Sequence, residues 1–253
     1  MPRTSSLRAP DLIEFFEGTG TDDQGRSLSQ ILAWSDENLE WSHDYIQTVF
    51  PLPERSDFQY TVAVIDERVF DSFRARKDLR ESLRTAFKRI LSFYGFELSE
   101  SESGDPVVKK GANYKTNPKV WNRRMDHNHL RITRILRSLR ILGLEAEALA
   151  WTNTLLPLAD HASESSKGFW RRAAQRSLNI PPDDMRSKDD DRTVGKPFLI
   201  KYEENRTNNT PAADGGNGAE AKPGGEEKSK HTITQDADGG LEDNRPVKRS
   251  RPT

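Results

Sequence analysis

The sequence predicts an all-α fold, with a single multi-helix domain followed by a disordered C-terminal tail. Apolar residues recur at helical spacing through the first 180 residues, and no series of alternating runs could build a sheet. Beyond about residue 203 large apolar side chains almost vanish, and the mean hydropathy of −0.85 is low for 253 fully packed residues. We divide the chain into a flexible N-terminus, a helical domain, a linker and a disordered tail, at 1–10, 11–180, 181–202 and 203–253.

Capping residues place the first helices. Residues 11–17 form a short amphipathic helix, and Ser27 with Gln30 gives the capping-box pattern at the start of a second one. Ser35 or Asp36 caps a third helix. Its predicted apolar stripe, which ends before Pro51 and Pro53, contains Leu39, His43, Ile46 and Phe50.

The middle of the chain combines helices with one long connection. Residues 58–65 could be extended, but a single strand has no pairing partner, so we predict a loop. Residues 66–74 form a helix, and a longer helix opens at Asp78 and ends at Gly95. We expect this longer helix at the centre of the core. Residues 99–122 are polar and predicted as a long loop.

Residues 127–144 predict a helix with two opposed faces. At about 100° per residue, one third of the circumference is aliphatic and the opposite half is cationic. The aliphatic residues are Ile132, Ile135, Leu136, Leu139 and Leu142. The cationic residues, called here the arginine face, are Arg131, Arg134, Arg137 and Arg140. We expect residues 130–142 to pack their apolar side on residues 79–94 and to expose the arginine face. Gly143 ends this helix, helices follow at 145–156 and about 164–176, and Pro181 and Pro182 close the domain.

The arginine face has two interpretations. It can be a solvated surface that pairs with acids such as Glu145 and Glu147 on the next helix. Alternatively it recognises an anionic partner, either a nucleic-acid backbone or an acidic protein segment, with Arg123 and Arg124 extending the basic surface. Without aromatic interleaving or a helix-turn-helix pattern, sequence-specific base reading is not expected.

The sequence does not predict an enzyme, a cofactor or a metal site. It lacks cysteine, a Gly-rich phosphate loop and a nucleophile motif. His43 falls in an apolar stripe and is interpreted as a core residue. His127 and His129 are two residues apart, so on a helix they point away from each other and cannot chelate one metal ion as an i, i+4 pair would. We expect Asp126 or Asn128 to cap the helix there.

Several segments together resemble one family. They are LEWSHDYIQ at 39–47, FPL at 50–52, FYG at 93–95, HNHLRITRIL at 127–136 and GLE at 143–145. In order and spacing they are similar to the conserved domain of the opioid growth factor receptor family, over roughly residues 10–180. The resemblance implies a nuclear or perinuclear binding protein that is distinct from membrane-spanning opioid receptors. Its best-known members bind the pentapeptide Met-enkephalin and restrain cell proliferation.

A peptide ligand with a free amino end and an aromatic ring needs a carboxylate beside an aromatic wall. Residues 39–49 offer Glu40 and Asp44 next to Trp41 and Tyr45, which form a candidate peptide site. The alternative function is a nucleic-acid- or chromatin-associated module that binds through the arginine face.

The C-terminal end contains a short basic patch of Lys248, Arg249 and Arg251, which predicts contact with the import machinery and location in the nucleus or perinuclear region as well as the cytoplasm. Cysteine is absent, no apolar run is long enough to span a membrane, and the first residues lack the apolar middle of a secretory signal. We therefore expect a reducing compartment and no transmembrane segment.

Overall fold

The computed structural model describes residues 11–55 and 63–208, which are mostly helical. Within these residues the chain forms ten α-helices, one 3-10 turn and one antiparallel hairpin. The helices are α1 Leu12–Glu17, α2 Leu28–Leu32, α3 Asp36–Trp41, α4 Tyr45–Val49, α5 Glu67–Ala75, α6 Lys77–Phe93, α7 Asn128–Ile141, α8 Glu145–Leu155, α9 Glu164–Gln175 and α10 Pro197–Asn208. Strands β1 Phe96–Glu100 and β2 Pro106–Lys110 separate α6 from α7, and the 3-10 turn Leu156–Leu158 follows α8.

Side-chain caps start several helices at predicted places, whereas α6 begins at Lys77 with no side-chain cap and does not open at Asp78 as predicted. The Asp11 carboxylate accepts a hydrogen bond from the Ile13 amide at 2.9 Å and starts α1. Ser27 and Gln30 form the reciprocal capping box of α2. Asp66 caps α5 through the Val69 amide at 2.8 Å. These caps confirm the predicted starts of the three helices.

The predicted single helix over residues 36–50 is wrong, because the chain forms α3 and α4 with a break between them. Ser42 is extended, with φ −80° and ψ 130°, and ends α3. His43 consequently leaves the predicted apolar stripe, and its side chain is exposed instead of lying in the core. The carbonyl groups freed at this break are bound by Arg131 of α7, a long-range contact that helical spacing does not reveal.

The hairpin corrects the all-α prediction. Residues 99–122 were predicted as loop, but Leu98 pairs with Val108 in an antiparallel register. Val108 is buried, and its carbonyl accepts a hydrogen bond from the Thr154 hydroxyl at 2.7 Å. An isolated two-stranded hairpin is only marginally stable in water, so this hairpin depends on its packing against α8. Of the predicted loop at 58–65, residues 58–62 lie outside the described part of the chain, and residues 63–65 have no regular secondary structure.

The core is aromatic-rich and includes the buried face of α6, as predicted. Trp121, Trp151 and Trp170 are fully buried. The expected neighbour of α7 is wrong, because α7 packs mainly against α8 and α9 rather than against α6. Leu130, which is not one of the residues of the predicted aliphatic face, is 75 % exposed.

Gly143 ends the α7 region as predicted. It adopts φ +90°, a left-handed conformation that glycine reaches without the strain of a Cβ atom. Helix α10 begins inside the predicted linker and packs on the domain through the buried Leu199. The buried Glu203 of the same helix accepts a hydrogen bond from the Leu178 amide at 2.8 Å. Gly195, just before α10, lies so close to Asn179 that only glycine fits: a Cβ atom there would lie 1.7 Å from the Asn179 carbonyl oxygen.

The described structure thus continues through the predicted linker and into the first residues of the predicted tail. The domain boundaries themselves stay a prediction. Residues 1–10 and 209–253 lie outside the described part of the chain, and with them the basic patch at Lys248, Arg249 and Arg251. None of the helices between residues 11 and 208 combines the length and the apolar character that a membrane span requires.

Candidate functional site

The arginine face of α7 is buried, so the prediction that it is exposed is wrong. Arg131, Arg137 and Arg140 are exposed by only 5 %, 3 % and 5 %, and Arg134 is half-buried. A buried guanidinium requires hydrogen-bond acceptors to offset the loss of water. In this protein the acceptors are mostly backbone carbonyls at the ends of other elements.

Arg131 binds the C-terminal end of α3. Its guanidinium donates to the carbonyls of Leu39 at 3.0 Å, Glu40 at 3.1 Å and Ser42 at 2.7 Å. The last carbonyls of a helix have no partner within the helix, and they carry the negative end of its dipole. One buried cation therefore satisfies three acceptors and ends the helix.

The other arginines bind further segment ends in the same way. Arg134 donates to the carbonyl of Phe50, the residue that ends α4, at 3.2 Å. Arg140 donates to the carbonyls of Ala173 at 3.1 Å and Arg176 at 2.7 Å, at the end of α9. Burial lowers the pKa of Arg140 to about 10, so it remains charged at neutral pH.

Arg137 combines a carboxylate with a carbonyl. It pairs with Glu54 and donates to the Ile180 carbonyl at 3.1 Å. The acids that were candidate partners on α8 bind other arginines: Glu145 pairs with Arg74 at 2.6 Å and Glu147 with Arg84 at 3.3 Å. Arg131, Arg137 and Arg140 therefore act as an internal clamp, and only Arg134 of the arginine face is half-buried.

Arg123 and Arg124 precede α7 and are exposed. A nitrogen of Arg123 lies 4.0 Å from an Asp126 carboxylate oxygen. Arg124 lines a surface cavity, described next. These two arginines remain available to an anionic ligand, whereas Arg131, Arg137 and Arg140 are buried and do not extend their basic surface.

The outer side of α7 borders a groove that the sequence did not reveal. Two cavities of about 430 and 460 Å³ share Leu130, Thr133 and Phe169, so they lie side by side along the gap between α7 and α9. Leu130 is 75 % exposed, and Met125 at one end is 84 % exposed. Each volume falls in the range of about 300–1,000 Å³ that is typical of small-ligand sites.

Charged groups stand at the margins of this apolar groove. Arg134 lines the cavity of 430 Å³ together with Glu54 and Asp183, and Asp126 lines the cavity of 460 Å³. Burial lowers the pKa of Arg134 to about 10, with Glu54 acting in the opposite direction. A partly desolvated cation beside an apolar surface is well placed to bind a carboxylate.

The structure divides the predicted peptide site into two parts. Glu40 and Trp41 line a separate cavity of about 220 Å³, and Trp41 is 75 % exposed. Asp44 pairs with Arg26 at 3.0 Å. Tyr45 is buried, its hydroxyl donates to the Leu39 carbonyl at 3.3 Å, and burial raises its pKa to about 12. Neither of the last two residues lines that cavity.

The histidines at the start of α7 differ in role. His129 is buried, and its ring nitrogens bond to the Ser166 hydroxyl at 2.8 Å and the Trp121 carbonyl at 3.0 Å. His127 is exposed. Asp126 accepts a hydrogen bond from the Asn128 amide at 2.8 Å, but the residue that caps α7 is His127 and its side chain makes no capping hydrogen bond, so the predicted cap by Asp126 or Asn128 is wrong.

Comparison with known proteins identifies the family. Residues 23–158 match the model of the opioid growth factor receptor conserved region, which covers more than half of the chain. The chain belongs to the opioid growth factor receptor family. The rat opioid growth factor receptor is 38 % identical over 125 residues, which are 48 % of this chain and 21 % of that protein.

Two further relatives match a similar share of the chain at a similar identity. The human opioid growth factor receptor is 38 % identical over 114 residues, 44 % of this chain and 16 % of that protein. Opioid growth factor receptor-like protein 1 of Xenopus tropicalis is 36 % identical over 109 residues, 43 % of this chain and 20 % of that protein. The match therefore spans about a fifth of the length of these relatives. No solved structure matches the chain.

Proposed function

We propose that this chain is a non-enzymatic ligand-binding member of the family and that it binds a short peptide in the groove between α7 and α9. The observation that carries the proposal is the exposed Leu130, which borders both of the cavities that make up the apolar groove. An exposed leucine beside a concave apolar surface is more typical of a binding site than of a solvated helix face.

The charges around the groove suit a peptide with free ends. Arg134 can bind a terminal carboxylate, because the hydrogen bond that it makes within the described residues goes to a backbone carbonyl and not to a carboxylate. Asp183, exposed at the same cavity, can bind an amino end. An aromatic side chain of the peptide would lie on Leu130 and Phe169, which border both cavities.

The name of the family supports a receptor role, and the resemblance implies Met-enkephalin as the first peptide to test. Calorimetric titration of this peptide should give saturable binding to the wild-type chain. Leu130→Ser should weaken binding at least tenfold, because it removes the apolar contact shared by both cavities. Leu149→Ser is the matched control: Leu149 is also exposed, at 43 %, but lines neither cavity.

Asp44→Asn tests the alternative location on α3 and α4. It should leave the peptide affinity unchanged, since Asp44 pairs with Arg26 and lies outside the groove. Loss of binding in this variant, with Leu130→Ser unaffected, would move the site to residues 40–45. The alternative nucleic-acid partner is tested with a DNA or RNA duplex: binding of the duplex that falls by orders of magnitude between low and moderate salt would favour that partner.

We also propose a nuclear or perinuclear location, which rests on the family resemblance and on the basic patch at Lys248, Arg249 and Arg251. A fluorescent fusion should concentrate in nuclei, and removal of residues 246–253 should reduce that concentration. Unchanged nuclear signal after the removal would exclude this patch as the import sequence.

A further inference from the structure

A second candidate site lies where the end of α3 meets the start of α7. One carboxylate oxygen of Glu40, one of Asp126 and one ring nitrogen of His127 lie within 4.8 Å of one another. We call these residues the Glu40 cluster. Glu40 and Asp126 are half-buried, whereas His127 is exposed, so solvent reaches the cluster on the His127 side.

Buried Asn128 holds the two carboxylates in place. Its side-chain amide donates to Glu40 Oε2 at 3.1 Å and to Asp126 Oδ1 at 2.9 Å. Its own oxygen accepts from the Tyr94 hydroxyl at 3.0 Å and from Arg131 at 3.3 Å. A fully buried residue with four polar contacts therefore positions both acids, as outer-shell residues do at metal sites.

The contacts of His127 are too long for good hydrogen bonds. Its Nε2 lies 3.5 Å from Glu40 Oε1, and its Nδ1 lies 3.5 Å from Asp126 Oδ1. The Asn128 amide nitrogen is 3.4 Å from Nε2, but its two hydrogens already serve Glu40 and Asp126. Each ring nitrogen of His127 therefore lies near one of the two carboxylates, and neither has a well-placed hydrogen-bond donor among the described residues.

The same spacing suits two ligands of one metal ion. Ligands bound at about 2.0–2.1 Å in a tetrahedral zinc site lie about 3.3–3.4 Å apart. The separation of 3.5 Å between Glu40 Oε1 and His127 Nε2 is close to this value. One imidazole and two carboxylates fit a first-row divalent ion such as Zn²⁺, with water completing an open site.

The neighbouring cations leave room for the ion. Arg131 is 3.9 Å from Glu40 Oε2, the oxygen that faces Asn128, whereas Oε1 faces His127. Arg123 approaches the other oxygen of Asp126 at 4.0 Å, and its side chain is 58 % exposed and can move away. Two carboxylates beside one buried cation leave a net negative charge for a divalent ion to neutralise.

His43 lies beside the Glu40 cluster but is not one of its three residues. Its ring centre lies 5.2 Å from that of His127, and its Nδ1 is 2.7 Å from the Trp41 carbonyl oxygen. Because a carbonyl only accepts, Nδ1 carries the proton and Nε2 is left as the basic nitrogen. A backbone carbonyl orients many metal-binding histidines in this way.

We propose that the Glu40 cluster binds one Zn²⁺ ion at the junction of α3 and α7, with Glu40, Asp126 and His127 as protein ligands. Glu40 and His127 are 87 positions apart in the sequence and meet only because Arg131 and Asn128 bind the end of α3 to α7. Consideration of His127 and His129 alone therefore predicts no metal site.

Calorimetric titration of ZnCl₂ into the chelator-treated full chain, without a histidine tag, tests the proposal. We expect one ion per chain with a dissociation constant in the micromolar range or below. His127→Gln and Glu40→Gln should each weaken binding at least tenfold, and Asp126→Asn should do so while its side-chain oxygen can still accept from the Asn128 amide. His161→Gln, at an exposed histidine outside the cluster, should have no effect.

A spectroscopic readout separates ligand loss from misfolding. Co²⁺ in place of Zn²⁺ should give the strong visible absorption of a tetrahedral site in the wild type and lose it in His127→Gln, at an unchanged melting temperature. Absence of saturable Zn²⁺ binding, or equal affinity of the wild type, His127→Gln and Glu40→Gln, would overturn the proposal. Asp126 also lines the cavity of 460 Å³, but Glu40 and His127 line neither cavity of the groove, so their variants test zinc binding separately from peptide binding.

Discussion

The two sides of α7 reverse what their residue types suggest. On the inner side three arginines are buried almost completely, while on the outer side Leu130 is 75 % exposed. The arginines are inside because helix ends present unpaired carbonyls, and a guanidinium carries enough donors to satisfy several at once. The leucine is outside because the gap between α7 and α9 remains open above it. Charge pattern alone is therefore a poor guide to which side of a helix meets a partner.

The largest effect is expected at the inner side. Arg131→Met removes the donor that serves three carbonyls at the end of α3. We expect a loss of about 3–5 kcal/mol in the free energy of unfolding, because buried acceptors are left without partners. Urea denaturation at neutral pH measures it. Arg124→Met, at an exposed arginine, should change stability by less than about 0.5 kcal/mol, and equal effects of the two variants would contradict the internal clamp.

Alkaline pH should act on the same buried contacts. Burial raises the pKa of Tyr45 to about 12 and that of Tyr94 well above its usual value of 10. Above pH 10 the unfolded chain loses these protons first, so Tyr45 lowers stability by about 3 kcal/mol as pH rises from 10 towards 12, whereas Arg134 and Arg140, whose pKa values burial lowers to about 10, act in the opposite direction. Denaturation at several pH values should therefore show that the wild type loses stability relative to Tyr45→Phe over this range. An identical pH dependence in the variant would place Tyr45 in contact with solvent.

A smaller effect is expected where α7 ends. Gly143→Ala introduces a Cβ at φ +90°, 3.1 Å from a carbon of Arg80, and should cost about 1–2 kcal/mol. Gly168→Ala is the matched control, because Gly168 lies inside α9 and a Cβ there would meet its nearest atom at 3.5 Å. That change should be neutral or stabilise the fold by up to about 1 kcal/mol. Melting temperatures that move in the same direction for both variants would argue against the left-handed end of α7.

The smallest effect on stability is expected at the outer side. Leu130→Ala should change the free energy of unfolding by less than about 0.5 kcal/mol, because the side chain is already largely in water. Thermal denaturation measures the change. A loss above 2 kcal/mol would mean that Leu130 is part of the core and that the groove is closed in solution.

Local chemistry allowed the helix positions to be predicted, but not how the helices meet. Ser27 with Gln30 and Gly143 mark helix ends through contacts with near neighbours in the chain. The break at Ser42 depends on Arg131, which is 89 positions away, so spacing within residues 36–50 could not show it. The hairpin was missed because its first strand follows directly on the end of α6 and its stability comes from α8.

For the predicted sites, too, the sequence indicated the residues but not their long-range contacts. The arginine face was recognised as a set, but its burial is decided by carbonyls from α3, α4 and α9. The groove combines Leu52, Leu130, Phe169 and Pro181, which come from distant segments and carry no shared spacing. For the predicted peptide site, sequence proximity placed Glu40, Trp41, Asp44 and Tyr45 together, whereas the break at Ser42 separates them.

The most direct test of the central claim is to map the peptide on the protein by NMR. We predict that addition of Met-enkephalin to the isotope-labelled chain shifts the amide signals of Leu130, Thr133 and Phe169, which border both cavities, and leaves Arg140 and its carbonyl partners unchanged. Shifts centred on Trp41, or no saturable shifts at all, would contradict the assignment of the groove between α7 and α9 as the binding site.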